Sequence, residues 1–281
     1  MFSEFVDSLA AKTEQNNQVN EGDYYNEQGL LCCGKCRTPK QMVVKIPELG
    51  IERKPYCMCK CESEKWNKED EERKEQERQK QIYEIRRLCF SDEAMIDWNF
   101  ANDDMANEKV TKAMQNYVDN FPELKKQGKG LLLYGQCGTG KTYAACEVAN
   151  ALIDKGYSVL VTNFARVVNK LQSTYAKQEY IDSLNDYSLL VIDDLSAERD
   201  TEYMNEQIFQ VVDARYRANL PMIITTNLSI ETVKNPDSIA KKRIYERVLE
   251  KCHPIKVDGK SRRVERIRKE YGTMQQMLGL D

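Results

Sequence analysis

The sequence predicts an α/β fold in which helices cover both faces of a parallel sheet. From residue 130 onward, short apolar runs alternate with amphipathic stretches, as in repeated strand–helix units. A glycine-rich loop, Gly135–Thr142, separates the first apolar run from a helical pattern. A later apolar run ends in two acids, Asp193 and Asp194. Together these observations indicate a domain that binds a nucleoside triphosphate.

Composition narrows the class of protein. The 281 residues are 41% hydrophobic and 31% charged, with a net charge of -3, so a nucleic-acid contact requires a local basic patch. The first residues show no signal peptide, and no apolar run is long enough to span a bilayer, so we expect a cytoplasmic protein without a membrane partner. His253 is the single histidine, which leaves little material for histidine-based catalysis or metal binding.

Residues 1–61 are expected to form a small zinc-binding module. A short amphipathic pattern near the terminus suits either a docking helix or a frayed end. Six of the ten cysteines lie between Cys32 and Cys61, and two close pairs about twenty residues apart are typical of one tetrahedral zinc site. The expected ligands are Cys33, Cys36, Cys59 and Cys61. Cys32 and Cys57 remain as spares, although Cys57 is an alternative to Cys59.

A charged segment and a lead-in precede the nucleotide loop. Residues 62–88 alternate acidic and basic helix formers, which predicts a solvated linker helix. The predicted ATPase domain covers 89–281. Trp98 and Phe100 would either line an adenine pocket or pack in the core. An amphipathic helix follows, and Phe121-Pro122 would end or kink it.

Five apolar runs are the candidate strands of the sheet. Gly156 marks the turn into the second strand, and an amphipathic stretch from residue 164 to 184 leads to the third. The strands are expected at 130–134, 158–162, 188–193, 221–226 and 254–257.

The loop between the first strand and its helix reads G-x-x-x-x-G-K-T, a phosphate-binding signature. Its glycines let backbone N–H groups approach phosphate oxygens at a helix N-terminus. Lys141 is expected to reach the β- and γ-phosphates of ATP, and the Thr142 hydroxyl to ligate Mg²⁺. The expected nucleotide contacts are Gly135, Gln136, Cys137, Gly138, Thr139, Gly140, Lys141 and Thr142.

Polar side chains at two later strand ends complete the expected catalytic set. Asp193 would hold the Mg²⁺ shell, and Asp194 would polarise the attacking water. Asn227 follows the next strand, and its amide suits the task of orienting that water.

Two arginine pairs are candidates for contacts to phosphate. Arg247, with Arg243 second, would serve as an arginine finger, unless the pair is a solvated one that balances Glu246 and Glu250. Arg263, with Arg262 as the alternative, would contact nucleotide in its own subunit.

These motifs resemble the DnaC/DnaI/IstB branch of the AAA+ ATPases, and most of all the bacterial and phage helicase loaders. The residues that carry the resemblance are Gly135–Thr142, Leu189–Tyr203 and Thr225–Leu228, within a region of roughly 90–270. The resemblance implies an AAA+ three-layer fold, ATP bound between subunits of a ring or helical homo-oligomer, and single-stranded DNA inside it. It also implies docking on a hexameric replicative helicase, and action of Arg247 on the neighbour's ATP.

Two departures from the wider family affect the expected activity. Only 24 residues follow Val257, which predicts a truncated lid. Asp194 stands where many AAA+ members have glutamate, and its shorter side chain predicts slow hydrolysis.

The segment after the second strand is the candidate DNA contact. Basic and aromatic side chains alternate in it, and these could neutralise the phosphate backbone of DNA and stack on its bases. An ordinary amphipathic helix has the same pattern. These residues are Asn163, Phe164, Arg166, Lys170, Tyr175 and Lys177.

The expected function is ATP-dependent loading of a replicative DNA helicase onto single-stranded DNA, with slow hydrolysis that the DNA stimulates. The alternative is an IstB-like ATPase that remodels DNA for a transposase. A third reading is a nucleotide-gated adaptor with negligible hydrolysis.

Overall fold

The computed structural model describes residues 19–47, 50–195 and 201–280, and the chain divides into two units between Lys80 and Gln81. The amphipathic pattern predicted near the start of the chain lies mostly outside the described residues. Each unit has its own strands, and the two are described separately below.

The first unit is a small β-structure followed by a long helix. Strand β1 (Tyr24–Tyr25) pairs antiparallel with β2 (Leu31–Cys32), and β3 (Val44–Ile46) pairs with β4 (Ile51–Arg53). A Cβ added at Gly34 would lie 2.1 Å from the carbonyl oxygen of Gly22, so the backbone approach there requires glycine.

The predicted charged helix is confirmed as α1, which runs from Lys60 to Cys89 through the division between the units. Oppositely charged side chains meet one turn apart along it, as in Lys74–Asp70 at 2.7 Å and Lys65–Glu69 at 3.6 Å. Such pairs stabilise an exposed helix by only a few tenths of a kcal/mol each, about 0.2–0.5. Their number therefore accounts for a helix with little apolar surface to bury.

The second unit is built on a five-stranded parallel sheet in the order β6-β7-β8-β5-β9. All five predicted strands are confirmed, with small shifts at their ends. The last begins at Cys252, two residues earlier than expected, because β9 is an edge strand that tolerates Pro254. The strands are β5 (Gly130–Tyr134), β6 (Val159–Asn163), β7 (Leu189–Leu195), β8 (Met222–Thr226) and β9 (Cys252–Lys256).

Helices cover both faces of this sheet. Successive residues of β5 point to opposite faces, so Leu131 and Leu133 join one buried apolar cluster while Leu132 joins the other. The predicted three-layer arrangement is therefore confirmed. The helices are α2 (Glu108–Asp119), α3 (Phe121–Gln127), α4 (Lys141–Asp154), α5 (Phe164–Ser173), α6 (Lys177–Ser183), α7 (Glu202–Arg217), α8 (Ile230–Lys234), α9 (Ile239–Lys251) and α10 (Arg262–Leu278).

Local sequence sets several of these boundaries. Helix α2 ends at Asp119, as the Phe121-Pro122 pair predicts, and Pro122 then lies in the first turn of α3. Gly128 ends α3 in the left-handed conformation at φ 63°. After β9 the described chain forms a single helix, α10. None of the helices in the described ranges combines the length and apolar character needed to cross a bilayer.

Candidate nucleotide and metal sites

The phosphate-binding loop connects β5 to α4 and depends on glycine backbone conformations. Gly135 has φ 148°, and a Cβ there would lie 2.4 Å from the carbonyl oxygen of Val257. Gly140 has φ 100° and directly precedes the first turn of α4. Within the loop, Thr139 Oγ1 donates to the Gln136 carbonyl at 3.0 Å. The loop therefore presents the N-terminus of a helix, where backbone N–H groups favour an anion.

Lys141 is buried at the base of this loop and has three acceptors. Its Nζ donates to the carbonyl oxygens of Gly135 at 3.0 Å and Gln136 at 2.7 Å, and to Asn227 Oδ1 at 2.8 Å. Burial lowers the pKa of this ammonium from its ordinary value. The contact brings together two residues that the sequence analysis assigned to the site from separate motifs.

Asp193 connects the loop helix to the sheet. Thr142 Oγ1 donates to Asp193 Oδ1 at 2.8 Å, and Thr225 Oγ1 donates to the same oxygen at 2.6 Å. Hydroxyl and carboxylate oxygens are the ligands that Mg²⁺ prefers, and the two expected ligands Thr142 and Asp193 are adjacent. This donor set therefore fits the Mg²⁺ ion predicted from the sequence.

Asp194 is the second acid, and its environment differs from that of its neighbour. Burial and then the charge of Asp193 raise its pKa. Asn227 Nδ2 donates to Asp194 Oδ1 at 2.9 Å, while Asn227 Oδ1 accepts from Lys141. The amide of Asn227 therefore connects the lysine of the loop to the candidate catalytic acid.

These groups line a cavity of about 500 Å³ beside the loop. Trp98 and Tyr143 also line it, with their rings stacked at a centroid distance of 5.7 Å and an interplanar angle of 27°. Phe100 packs against the core, so of the two aromatic residues considered in the sequence analysis Trp98 is the one in the cavity. Sequence reasoning missed Tyr143, although it directly follows the G-x-x-x-x-G-K-T motif.

Both arginines at the start of α10 line the same cavity. Arg263 Nη1 lies 3.6 Å from the Cys137 sulfur in the exposed part of the loop. Arg262 pairs with Asp104 at 3.0 Å, and its guanidinium lies 5.8 Å from the ring centroid of Tyr143. The geometry therefore places both the preferred and the alternative arginine beside the nucleotide loop.

Arg247 contacts a different surface, between α7 and α9. Its Nε pairs with Asp213 at 2.7 Å, and its guanidinium lies 4.7 Å from the ring centroid of Phe209. Arg243 lies over the same ring at 3.9 Å. The acid that pairs with Arg247 is therefore Asp213, and not Glu246 or Glu250 as the alternative interpretation of this arginine pair expects. Among the described residues, neither arginine lines the cavity of its own chain.

The four cysteines predicted as zinc ligands converge in the first unit. The sulfur atoms of Cys33, Cys36, Cys59 and Cys61 all lie within 4.8 Å of one another. Cys61 Sγ is 3.6 Å from Cys33 Sγ and 3.4 Å from Cys59 Sγ, close to the ~3.8 Å between thiolates on one tetrahedral zinc ion. The set therefore fits Zn²⁺.

The two spare cysteines turn away from this cluster. Cys32 Sγ contacts the Leu30 carbonyl at 3.6 Å, and Cys57 Sγ contacts the Pro39 carbonyl at 3.7 Å. Hydrogen bonds to Cys36 Sγ, first that of the Thr38 hydroxyl at 3.1 Å and then those of the Cys61 and Thr38 backbone, lower the pKa of the Cys36 thiol to about 5. The thiolate form, which binds metal, is thereby favoured at Cys36.

A buried lysine joins the two cysteine pairs. Lys40 Nζ pairs with Asp23 at 2.8 Å and lies 3.7 Å from Glu62. Asp23 accepts the N–H of Gly34, between the first two ligands, at 3.1 Å, and Glu62 accepts the N–H of Cys59 at 3.3 Å. The charge network therefore fixes the backbone beside both pairs.

Comparison with known proteins assigns the chain to a family. Residues 64–270 match the family described as IstB-like ATP binding protein. The chain belongs to this family. Its members bind ATP by description, which agrees with the lysine, acids and glycine loop around the cavity. The resemblance to the DnaC/DnaI/IstB branch, inferred from the motifs, is confirmed.

Individual relatives of the family carry different descriptions. The replicative helicase loader DnaI of Bacillus subtilis (strain 168) is 27% identical over 201 residues, 66% of this chain and 65% of its own length. A putative ATP-binding protein in an insertion sequence of Mycobacterium tuberculosis is 24% identical over 185 residues, 64% of this chain and 72% of its own length. The chain thus covers less than two thirds of the length of DnaI.

A solved structure shows that the fold is shared. The crystal structure of DnaI superposes with a TM-score of 0.53 at 24% identity, covering 62% of this chain and 94% of the other. The likeness shows that the two chains share their α/β fold.

The residues of the candidate DNA-binding segment differ in how exposed they are. Phe164 is fully buried in the core with the apolar face of α5, so of the two alternatives base stacking is wrong for this residue and core packing is confirmed. Asn163 caps α5 by accepting the Arg166 N–H at 2.8 Å. Arg166, Lys170, Tyr175 and Lys177 are exposed.

Proposed function

We propose that this protein is an ATP-dependent loader of a replicative DNA helicase onto single-stranded DNA. The observation that carries the proposal is the pairing of an ATP-binding domain of this family with a separate cysteine cluster, in a chain similar to a helicase loader. A cytoplasmic location follows from that role.

ATP binds with its phosphates on the loop Gly135–Thr142 and its base toward the stacked Trp98 and Tyr143. Lys141 turns from its carbonyl acceptors to the phosphates, since an ammonium prefers an anion to a neutral carbonyl. Thr142 and Asp193 would hold Mg²⁺, which would neutralise negative charge on the phosphates. Arg263 adds a second positive charge from the same subunit.

Hydrolysis depends on Asp194 and Asn227. The raised pKa of Asp194 makes its carboxylate a better proton acceptor for an attacking water. Asn227, already bonded to both Asp194 and Lys141, aligns that water with the γ-phosphate. The short side chain of Asp194 keeps turnover slow, which suits a switch between assembly and release.

The site is completed by a second copy of the chain. Arg247 lies on another surface of its own subunit, from which it reaches the ATP of a neighbour in a ring or helical homo-oligomer. Single-stranded DNA lies inside that assembly, where the exposed Arg166, Lys170 and Tyr175 neutralise phosphates and stack on bases. The DNA stimulates hydrolysis, and the zinc module docks on the hexameric helicase.

A second candidate function is that of a transposition helper. The insertion-sequence relative and the family description favour an ATPase that remodels DNA for a transposase. The cysteine cluster favours the loader, because a separate module suits a separate protein partner.

The catalytic assignment is tested with Asp194→Asn. The amide cannot accept a proton, so we expect ATP turnover to fall by about 10²-fold or more while ATP still binds. Lys141→Ala is the comparison, because it removes the phosphate contact and should weaken binding itself. Unchanged turnover in the Asn variant would reject the role of Asp194.

The choice of partner is tested by pull-down. Immobilised protein, supplied with ATP and Zn²⁺, should retain the replicative helicase of its host and single-stranded DNA. Retention of a transposase and duplex DNA, with no helicase, would favour the transposition helper instead.

A further inference from the structure

Thr225 occupies a buried position between the two acids of the nucleotide site. Thr225 is 1% exposed, and its single hydroxyl makes two hydrogen bonds. Oγ1 donates to Asp193 Oδ1 at 2.6 Å and accepts the backbone N–H of Asp194 at 2.9 Å. One side chain on β8 therefore contacts the carboxylate of one acid and the backbone of the next.

The strand pairing shows why the second bond is needed. Ile192 of β7 lies opposite Ile224 of β8, but Leu195 lies opposite Thr226, so β7 carries one extra residue in this interval. Asp194 falls inside this bulge with φ 65°, a left-handed conformation that a side chain adopts rarely. The Thr225 hydroxyl accepts the N–H of this displaced residue and stabilises the conformation from which its carboxylate reaches Asn227.

The first bond fixes the other acid. Asp193 Oδ1 accepts two hydroxyl hydrogen bonds, from Thr142 on the loop helix and from Thr225 on the sheet. Two donors on one oxygen, from different elements, restrict rotation of the carboxylate. The expected metal ligand is therefore oriented before any ion binds.

We propose that Thr225 is a positioning residue that aligns Asp193 for the metal and Asp194 for the attacking water. The inference rests on the proposed ATP hydrolysis, and it adds a residue that acts only through its two neighbours. A merely structural role for Thr225 would stabilise the sheet without changing either acid.

The next residue of the same strand gives a matched control. Thr226 is also fully buried, and its Oγ1 donates to the Leu195 carbonyl at 2.9 Å, beyond the two acids. Replacement of either threonine by valine removes one buried hydroxyl from β8 and keeps the side chain at nearly the same size. The two changes differ in whether they disturb the acids.

The experiment compares Thr225→Val, Thr225→Ser and Thr226→Val in the full chain with ATP. We expect Thr225→Val to lower kcat by about 10²-fold with little change in KM, because the acids lose their alignment and the nucleotide loop remains. Thr225→Ser restores the hydroxyl and should recover most of the activity. Thr226→Val should lower the melting temperature yet leave kcat near that of the parent protein. Equal kcat for the two valine variants would overturn the proposal.

A binding measurement separates this proposal from the proposed function. The Mg²⁺ concentration that gives half-maximal binding of a fluorescent ATP analogue should rise several-fold in Thr225→Val and stay constant in Thr226→Val. If the parent protein binds the analogue without hydrolysing it, the hydrolytic function fails and this shift still decides the role of Thr225. An unchanged Mg²⁺ requirement in Thr225→Val would overturn its role toward the metal.

Discussion

Glu147 shows how a single buried group makes this fold sensitive to pH. It lies on α4, one turn after Tyr143 of the nucleotide cavity, and is only 2% exposed. Burial, and then the nearby charge of Asp103, raises its pKa to about 8, against the opposing effect of Arg262. The folded protein therefore holds a proton on Glu147 at neutral pH that the unfolded chain releases.

The consequence is a loss of stability as the pH rises. A carboxyl whose pKa is higher in the folded state favours folding below its unfolded value, near 4.5, and that contribution disappears as the pH rises toward about 8. Glu147→Gln keeps the neutral shape and removes the titration. In the wild-type protein the unfolding free energy should fall by up to about 1.4 kcal/mol per pH unit relative to this variant.

Denaturant unfolding at pH 5, 7 and 8.5 measures this difference. The advantage of Glu147→Gln should grow with pH, whereas Glu108→Gln, a change at an exposed acid of α2, should track the wild type. Parallel stability curves for Glu147→Gln and wild type would show that Glu147 titrates normally.

At the scale of elements, the cysteine module depends on a charge network and on a cysteine cluster that fits a metal ion more than on an apolar core. The two short strand pairs bury few side chains, so metal binding would supply folding free energy directly. We predict about one Zn²⁺ per chain, because four thiolates complete one tetrahedral site.

Cysteine variants test the ligand set. Cys59→Ser removes a converging sulfur and should abolish stoichiometric zinc in the purified protein, with loss of protease resistance in the first unit. Cys57→Ser, two positions away, removes a sulfur that faces the Pro39 carbonyl and should leave the zinc content near one. Elemental analysis of both variants decides the matter, and loss of zinc from Cys57→Ser alone would reverse the assignment.

The elements also show what could be predicted from the sequence and why. The strands were predictable because parallel strands are buried on both faces and appear as continuous apolar runs. Thr225 and Tyr143 were not singled out, because their roles depend on the register of β7 against β8 and on packing onto Trp98. The sequence pattern around Phe164 allowed either base stacking or core packing. Only the position of α5 on the sheet shows that this side chain lies in the core.

At the scale of the whole molecule, the proposed site is divided between two copies of the chain. Arg247 is held by Asp213 and Phe209, so it is positioned before a neighbour arrives. Arg247→Ala should lower turnover by about 10³-fold, the contribution of an arginine finger, with ATP binding retained.

Mixing two inactive variants tests this division. Lys141→Ala lacks a working loop, and Arg247→Ala lacks the arginine, yet a mixed oligomer contains interfaces in which both are intact. Turnover should therefore reappear on mixing. Arg243→Ala is the control: if Arg247 is the finger, Arg243→Ala alone should not lose turnover as Arg247→Ala does. A mixture that stays inactive under conditions in which the chains assemble would place Arg247 outside the neighbour's site.

The most direct test of the loader function uses a closed circle of single-stranded DNA. A circle has no end to thread through a hexameric helicase, so the helicase ring must be opened by a loader. We predict that the host's replicative helicase will co-elute with the circle when this protein and ATP are present, and will remain free when either is omitted. Helicase that stays free in the complete mixture, from a protein that binds ATP and zinc normally, would contradict the loader function.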